Sequence, residues 1–134
     1  MPAAWKRRIM TTGLVLFAHG ARDARWREPF DRLLALVAER HRGPVSLAFL
    51  ELMTPDLSSA CVELVRAGAQ RIVVVPLFLG TGGHVRDDLP ALLAAAKTAA
   101  GVEVSSTPPA GEDESVLRAV ASYCLRSAAY LGSS

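Results

Sequence analysis

Cysteine is scarce in this sequence: Cys61 and Cys124 are the only two in 134 residues. Neither stands in a C-x-x-C or zinc-type spacing, which speaks against a disulfide framework or a structural zinc site. Both fall on apolar stripes of predicted helices and read as small buried hydrophobes. Lysine-rich runs are absent, and a formal net charge of +2 is too small for a nucleic-acid footprint. No apolar run approaches the roughly 20 residues of a membrane span. Residues 1–12 lack the apolar segment of a signal peptide. What remains is a soluble, cytoplasmic chain with neither nucleic acid nor membrane among its expected partners.

The chain is 51% apolar, enough for a core of ordinary size in one domain. Leu14 to Ala18, Val45 to Leu50, Arg71 to Leu79 and Val102 to Ser105 read as strands, the apolar runs among them as strands covered on both faces. Each is followed by a helical stripe. Phe30, Leu33, Leu34 and Val37 mark the first, with Pro29 in its opening turn. Leu57, Ala60, Cys61, Leu64 and Val65 mark the second, with Thr54-Pro55 as cap and first residue and Gly68 as its stop. Leu89, Leu92, Leu93 and Ala96 mark the third, with Pro90 near its start. Val116, Val120, Cys124 and Leu131 mark the last, capped by Asp113. Strands alternating with helices predict an α/β fold: a doubly wound, mainly parallel four-stranded sheet with helices on both faces. Residues 1–12 read as a leader and residues 13–134 as the domain.

Two histidines follow apolar strands. His19 ends the first strand and precedes Gly20, which permits a sharp turn and close approach of a ligand. His84 follows the third strand through Gly80-Thr81-Gly82-Gly83. Ligands of open α/β sheets bind outside the carboxyl ends of the strands, where two imidazoles can converge as metal ligands or general bases. Glu51, ending the second strand, either joins them at a divalent-metal site or is a solvated strand-end charge. The glycine loop lacks nucleotide-binding spacings and reads as a close-approach loop presenting His84. Arg22, Arg25 and Arg27 beside His19 suit an anionic small molecule. His41 lies in the last turn of a helix, where a cation suits the dipole, and reads as structural or merely exposed.

Phe17-Ala18-His19-Gly20-Ala21-Arg22-Asp23, Ala48-Phe49-Leu50-Glu51 before Pro55, and Pro76-Leu77-Phe78-Leu79 through Gly83-His84 to Asp88-Leu89-Pro90 resemble the short sirohydrochlorin chelatases. These are the CbiX type of class II chelatases, related to siroheme ferrochelatases and archaeal nickel chelatases. The resemblance covers about residues 13 to 130 and is carried by the ordered set. It implies a flavodoxin-like or chelatase-like fold. The implied reaction inserts a divalent metal (Co²⁺ first, Fe²⁺ or Ni²⁺ as alternatives) into sirohydrochlorin, an acidic tetrapyrrole, with the metal as substrate and no organic cofactor. It further implies that His19 and His84 ligate the metal, that His19 accepts pyrrole protons, and that Glu51 and the loop from Leu79 through Gly80, Thr81 and Gly82 to Gly83 meet the macrocycle. Arg22, Arg25 and Arg86 are near enough in sequence to the site to pair with the macrocycle's carboxylates, or are solvated surface charges. Longer members carry two such domains, so a homodimer is implied here. Two other classes stay open: a non-catalytic tetrapyrrole or cobalt carrier, and a phosphate-ester enzyme with His19 as nucleophile.

Overall fold

In the computed structural model, which describes residues 10–132, four parallel strands form one sheet in the order β2-β1-β3-β4. The strands are β1 (Thr12–Ala18), β2 (Val45–Phe49), β3 (Arg71–Pro76) and β4 (Glu103–Ser106). The helices are α1 (Glu28–Arg40), α2 (Leu57–Arg66), α3 (Gly83–Ala100) and α4 (Glu114–Gly132), with short 3-10 turns at Ala24–Arg27 and Ala110–Glu112. The order reverses between β1 and β3, the switch point where such sheets bind ligands. Strand pleating splits β1 between two cores. Val15 and Phe17 pack with α2 and α3 residues such as Leu57, Cys61, Val85 and Ala96. Leu16 and Ala18 pack with Phe30, Leu33, Leu34 and Val37 of α1. A strand covered on both faces needs apolar residues at every position, hence the unbroken run in the sequence. No helix of the described residues is long and apolar enough to cross a membrane.

Several boundaries differ from the sequence expectation. Thr12, assigned to the leader, begins β1 opposite Arg71, and the Thr11 carbonyl accepts the Gln70 N–H at 2.8 Å; residues 1–9 lie outside the described residues. β3 ends at Pro76 rather than Leu79. Leu77 still donates to the Phe17 carbonyl at 2.8 Å; beyond it Phe78 turns inward and Leu79 outward, at 3% and 66% exposure. Pro90 is not near the start of α3 but well inside it. The ladder starts earlier, with Arg86 N–H on the Gly82 carbonyl at 3.1 Å. Pro90 is exposed, so the backbone bond that proline removes is lost at the solvent side. His41 donates from Nε2 to the Thr12 carbonyl at 2.7 Å, the structural role expected of it.

Thr54-Pro55 does not open α2. The Pro55 carbonyl accepts the Phe49 N–H at 2.9 Å, which holds that residue outside the helix, and Asp56 caps instead, its Oδ1 accepting from Ser59 N–H at 2.8 Å. That amide holds the Asp56 carboxyl below its ordinary value of 3.8. The cap's stabilisation is therefore complete above the ordinary value and is lost as pH falls through the lowered one. Asp56→Ala is expected to cost about 1 kcal/mol at neutral pH, with a smaller deficit at acid pH where the wild-type cap is itself protonated. Urea denaturation at the two pH values measures both.

The last helix departs furthest from expectation. Asp113 caps it as foreseen, accepting the Val116 N–H at 3.1 Å. Its expected stripe is largely open, however: Val116 is half-buried, Val120 is 40% exposed, and Cys124 is exposed where a buried thiol was expected, while the Leu131 side chain lies outside those described. The cause is placement, because α4 packs chiefly on the preceding 3-10 turn. Cys61 is fully buried as expected, and burial pushes its thiol up to about 11.

Candidate functional site

Parallel strands place His19, Glu51 and the Leu77–Gly82 segment at one edge, each just past a strand end. The backbone there is tied down. Leu50 N–H donates to the Ala18 carbonyl at 2.9 Å and Glu51 N–H to the His19 carbonyl at 3.0 Å. Gly20 has φ +95°, and a Cβ there would collide with the Glu51 carbonyl oxygen. Glycine is thus required by the crossing of two chains, and it fixes where His19 points. The exposed His19 ring lies 4.5 Å from the Phe78 ring, centroid to centroid, at 41°. Phe78 is buried and meets Phe17 at 6.1 Å. One face of the imidazole therefore leans on the core, and its nitrogens make no hydrogen bond among the described residues.

His84 lies in the first turn of α3, not in a loop. Its Nε2 is 3.2 Å from Asp88 Oδ2, with the imidazole 90% exposed. Asp88 is a functional candidate that the sequence reading missed. Residues at i and i+4 meet only on a helix, and the helix was expected to begin too late to pair them. A carboxylate on one ring nitrogen orients an imidazole and leaves the other nitrogen for a metal.

Glu51 is exposed and makes no ion pair among the described residues. It does not complete a ligand cluster, since no group of three or more His, Cys, Asp or Glu side chains is close enough to hold a metal among the described residues. The edge is open, with two imidazoles rather than a closed cage. The arginines divide. Arg25 pairs with Asp23 at 2.9 Å and holds that carboxyl below its ordinary value. Arg27 pairs with Asp31 at 3.2 Å and covers the Phe49 ring at 5.1 Å. Arg22 and Arg86 are exposed and make no ion pair among the described residues. The proposed three-arginine cluster thus reduces to Arg22, with Arg86 beside His84.

The loop from Leu79 to Gly83 is also open. A Cβ at Gly80, Gly82 or Gly83 would meet nothing within 4 Å. Their smallness serves no contact among the described residues and leaves room for a ligand. Thr81 between them is half-buried. No side chain caps the start of α3, and its first turn holds no acidic residue. Its amides are left facing outward, an arrangement that favours anions.

A doubly wound parallel domain, open at the carboxyl edge beside the switch point, is the class that this fold and site define. The CbiX family model matches residues 13–126, and the chain belongs to that family. A sirohydrochlorin cobaltochelatase of Saccharolobus islandicus (strain L.S.2.15) is 37% identical over 81 residues, which are 60% of this chain and 62% of that protein. One from Methanocaldococcus jannaschii is 38% identical over 60% of this chain and 57% of its own. The chain thus spans about three fifths of the length of the curated relatives it matches. Among solved structures, a protein described as a cobalamin biosynthesis CbiX protein from Marinobacter aquaeolei VT8 superposes with a TM-score of 0.80 at 29% identity, covering 89% of this chain and 98% of that one. The sirohydrochlorin chelatase SirB from Bacillus subtilis subspecies spizizenii, in complex with cobalt, superposes with a TM-score of 0.70 at 31% identity, over 83% of this chain and 48% of its own.

Proposed function

We propose that this chain is a metal chelatase that inserts a divalent ion, Co²⁺ foremost and Fe²⁺ or Ni²⁺ as alternatives, into sirohydrochlorin in the cytoplasm. The observation that carries the reading is the exposed His19 imidazole, without a hydrogen bond at either nitrogen among the described residues and set at the switch-point edge of a CbiX-family domain. Insertion breaks two pyrrole N–H bonds, forms metal–nitrogen bonds in their place and releases two protons. Neutral imidazole binds a borderline metal weakly enough to release it and can accept a proton. His19 serves both steps. His84, turned by Asp88, is the second metal ligand. Glu51 and the loop from Leu79 through Gly80, Thr81 and Gly82 to Gly83 lie against the macrocycle. Arg22 and the uncapped amides of α3 receive its carboxylates.

One domain offers one wall. A flat macrocycle needs contact on both faces to be held and shielded from water, so the working species is a homodimer that closes the cleft by two-fold symmetry. SirB matches this chain over 48% of its length, in keeping with two such units in the longer protein. The phosphate-ester reading loses ground on the arginines, because Arg25 and Arg27 are engaged by Asp23 and Asp31 and form no fork beside His19.

Purified protein, sirohydrochlorin and each of Co²⁺, Fe²⁺ and Ni²⁺ in turn, followed by the absorbance change of metallation, test the proposal. The expected result is a rate far above the protein-free reaction and proportional to protein concentration, greatest with Co²⁺. Tight binding of sirohydrochlorin without acceleration would make the protein a carrier.

A further inference from the structure

The chain reverses tightly after β2, and one leucine is held there in an unfavourable backbone conformation. Leu52 has φ +67°, the one positive φ outside glycine among the described residues. Met53 N–H donates across it to the Glu51 carbonyl at 2.8 Å. A bond from i+2 to i closed over a positive φ is the rare, strained form of the γ-turn. The left-handed region crowds the Cβ of a leucine, whereas glycine or asparagine enters it readily. The turn itself therefore does not call for leucine.

Packing does not call for it either. Met53 lies against the core cluster of Leu16 and Phe49, but Leu52 is 57% exposed. The reversal is needed, because the Pro55 carbonyl must come back to the Phe49 N–H at 2.9 Å. Its effect on the side chains is to send Met53 inward and Leu52 into solvent. A strained backbone and an apolar side chain in water are two penalties that nothing among the described residues offsets. Outliers of this kind cluster where a site uses them. The place is indeed the site's own edge. In the order β2-β1-β3, Leu52 stands past β2, His19 past β1 and Leu79 past β3. Leu79 is 66% exposed, and the other large apolar residues exposed among the described residues lie on α1, on α4 or before β1. The turn is also fastened to the histidine. Glu51 N–H donates to the His19 carbonyl at 3.0 Å, and Gly20 presses on the Glu51 carbonyl that closes the turn.

We propose that Leu52 is a substrate-binding residue: with Leu79 it forms an apolar support on either side of His19, on which the face of a flat macrocycle rests. The proposal rests on the chelatase reading above and adds a residue to it. An acidic tetrapyrrole carries its charge on peripheral carboxylates and is apolar across its faces. Two leucines suit the face as Arg22 suits the rim, the usual division of a small-molecule site into apolar walls and a few polar groups. The strained turn fixes the direction of Leu52 through the backbone, so the support is in place before the substrate arrives.

Leu52→Asn removes the apolar group and suits the turn, so it should melt no lower than the wild type. Sirohydrochlorin binding without metal, followed by absorbance titration, should weaken about tenfold, the weight of burying most of one leucine side chain. KM should rise by a like factor with kcat within about twofold, because contact with the macrocycle's face is equal in the ground and transition states. Leu52→Met keeps the apolar area and should restore most of the affinity. The loss should be the same at low and high salt, whereas the loss in Arg22→Ala shrinks as salt screens it. Unchanged affinity in Leu52→Asn, beside normal insertion by the wild type, overturns the proposal and leaves the chelatase reading standing. A lower melting temperature with unchanged affinity means that Leu52 serves the fold, which also overturns it. If the wild type binds sirohydrochlorin without inserting metal, the chelatase reading falls and the titration still decides Leu52. A wild type that binds no sirohydrochlorin removes both.

Discussion

His19→Ala is expected to lower metal insertion by at least about 100-fold, the lower end of what a positioned acid or base contributes, with less than about 1 kcal/mol lost from stability. The two effects separate because the imidazole is exposed while its backbone is held independently by the Glu51 N–H. Truncation removes the proton acceptor and one metal ligand but no bond of the fold. Initial insertion rates with Co²⁺, set beside thermal melts, give both numbers. His84→Ala should retain more activity, since it removes one ligand and no base. Asp88→Asn should fall between His84→Ala and wild type, because it leaves the imidazole in place but weakens the group that turns it. Near-normal turnover in the His19 variant would take the base role from this residue.

Phe78→Ala should be the most damaging single change at the site. Phe78 is 3% exposed and packs against Phe17 within the main core cluster. Deleting a buried aromatic costs about 3–5 kcal/mol, a large share of the roughly 5–15 kcal/mol that holds a domain together. A sharp fall in the urea midpoint is expected. Phe78→Leu isolates the functional half of the effect. It keeps most of the volume, and swaps of that kind usually cost less than about 1.5 kcal/mol, but it removes the flat surface 4.5 Å from the His19 ring. The leucine variant should fold well and insert metal several-fold more slowly. Unchanged turnover in it would show that the ring contact does not position His19.

The central sheet was legible because β1 and β3 are apolar at nearly every position, although only one face of β3, with Ile72 and Val74, lies in the core. His19 and Glu51 were legible for a related reason: in a parallel sheet the residue after each strand must stand at the ligand edge. His84 was found but misplaced. Pro90 drew the expected start of α3 toward itself, because proline favours a first turn, and the true start at Gly83 has no side-chain cap to announce it. With the start misjudged, the His84–Asp88 pair could not be seen. The arginines misled for a different reason. Sequence proximity to His19 does not reveal that Asp23 and Asp31 neutralise two of them. Cys124 was placed in the core because its stripe is apolar, and periodicity reports an apolar face without showing that the fold buries it.

The central claim is that His19 and His84 together hold the incoming metal at this edge. X-ray absorption at the cobalt edge, on protein carrying one equivalent of Co²⁺ without tetrapyrrole, tests it most directly, because imidazole carbons beyond the ligating nitrogen give a distinct scattering signature. The account predicts two imidazoles on the cobalt in the wild type and loss of one in each of His19→Ala and His84→Ala. A wild-type spectrum of water and carboxylate oxygens alone, unchanged in both variants, would contradict it.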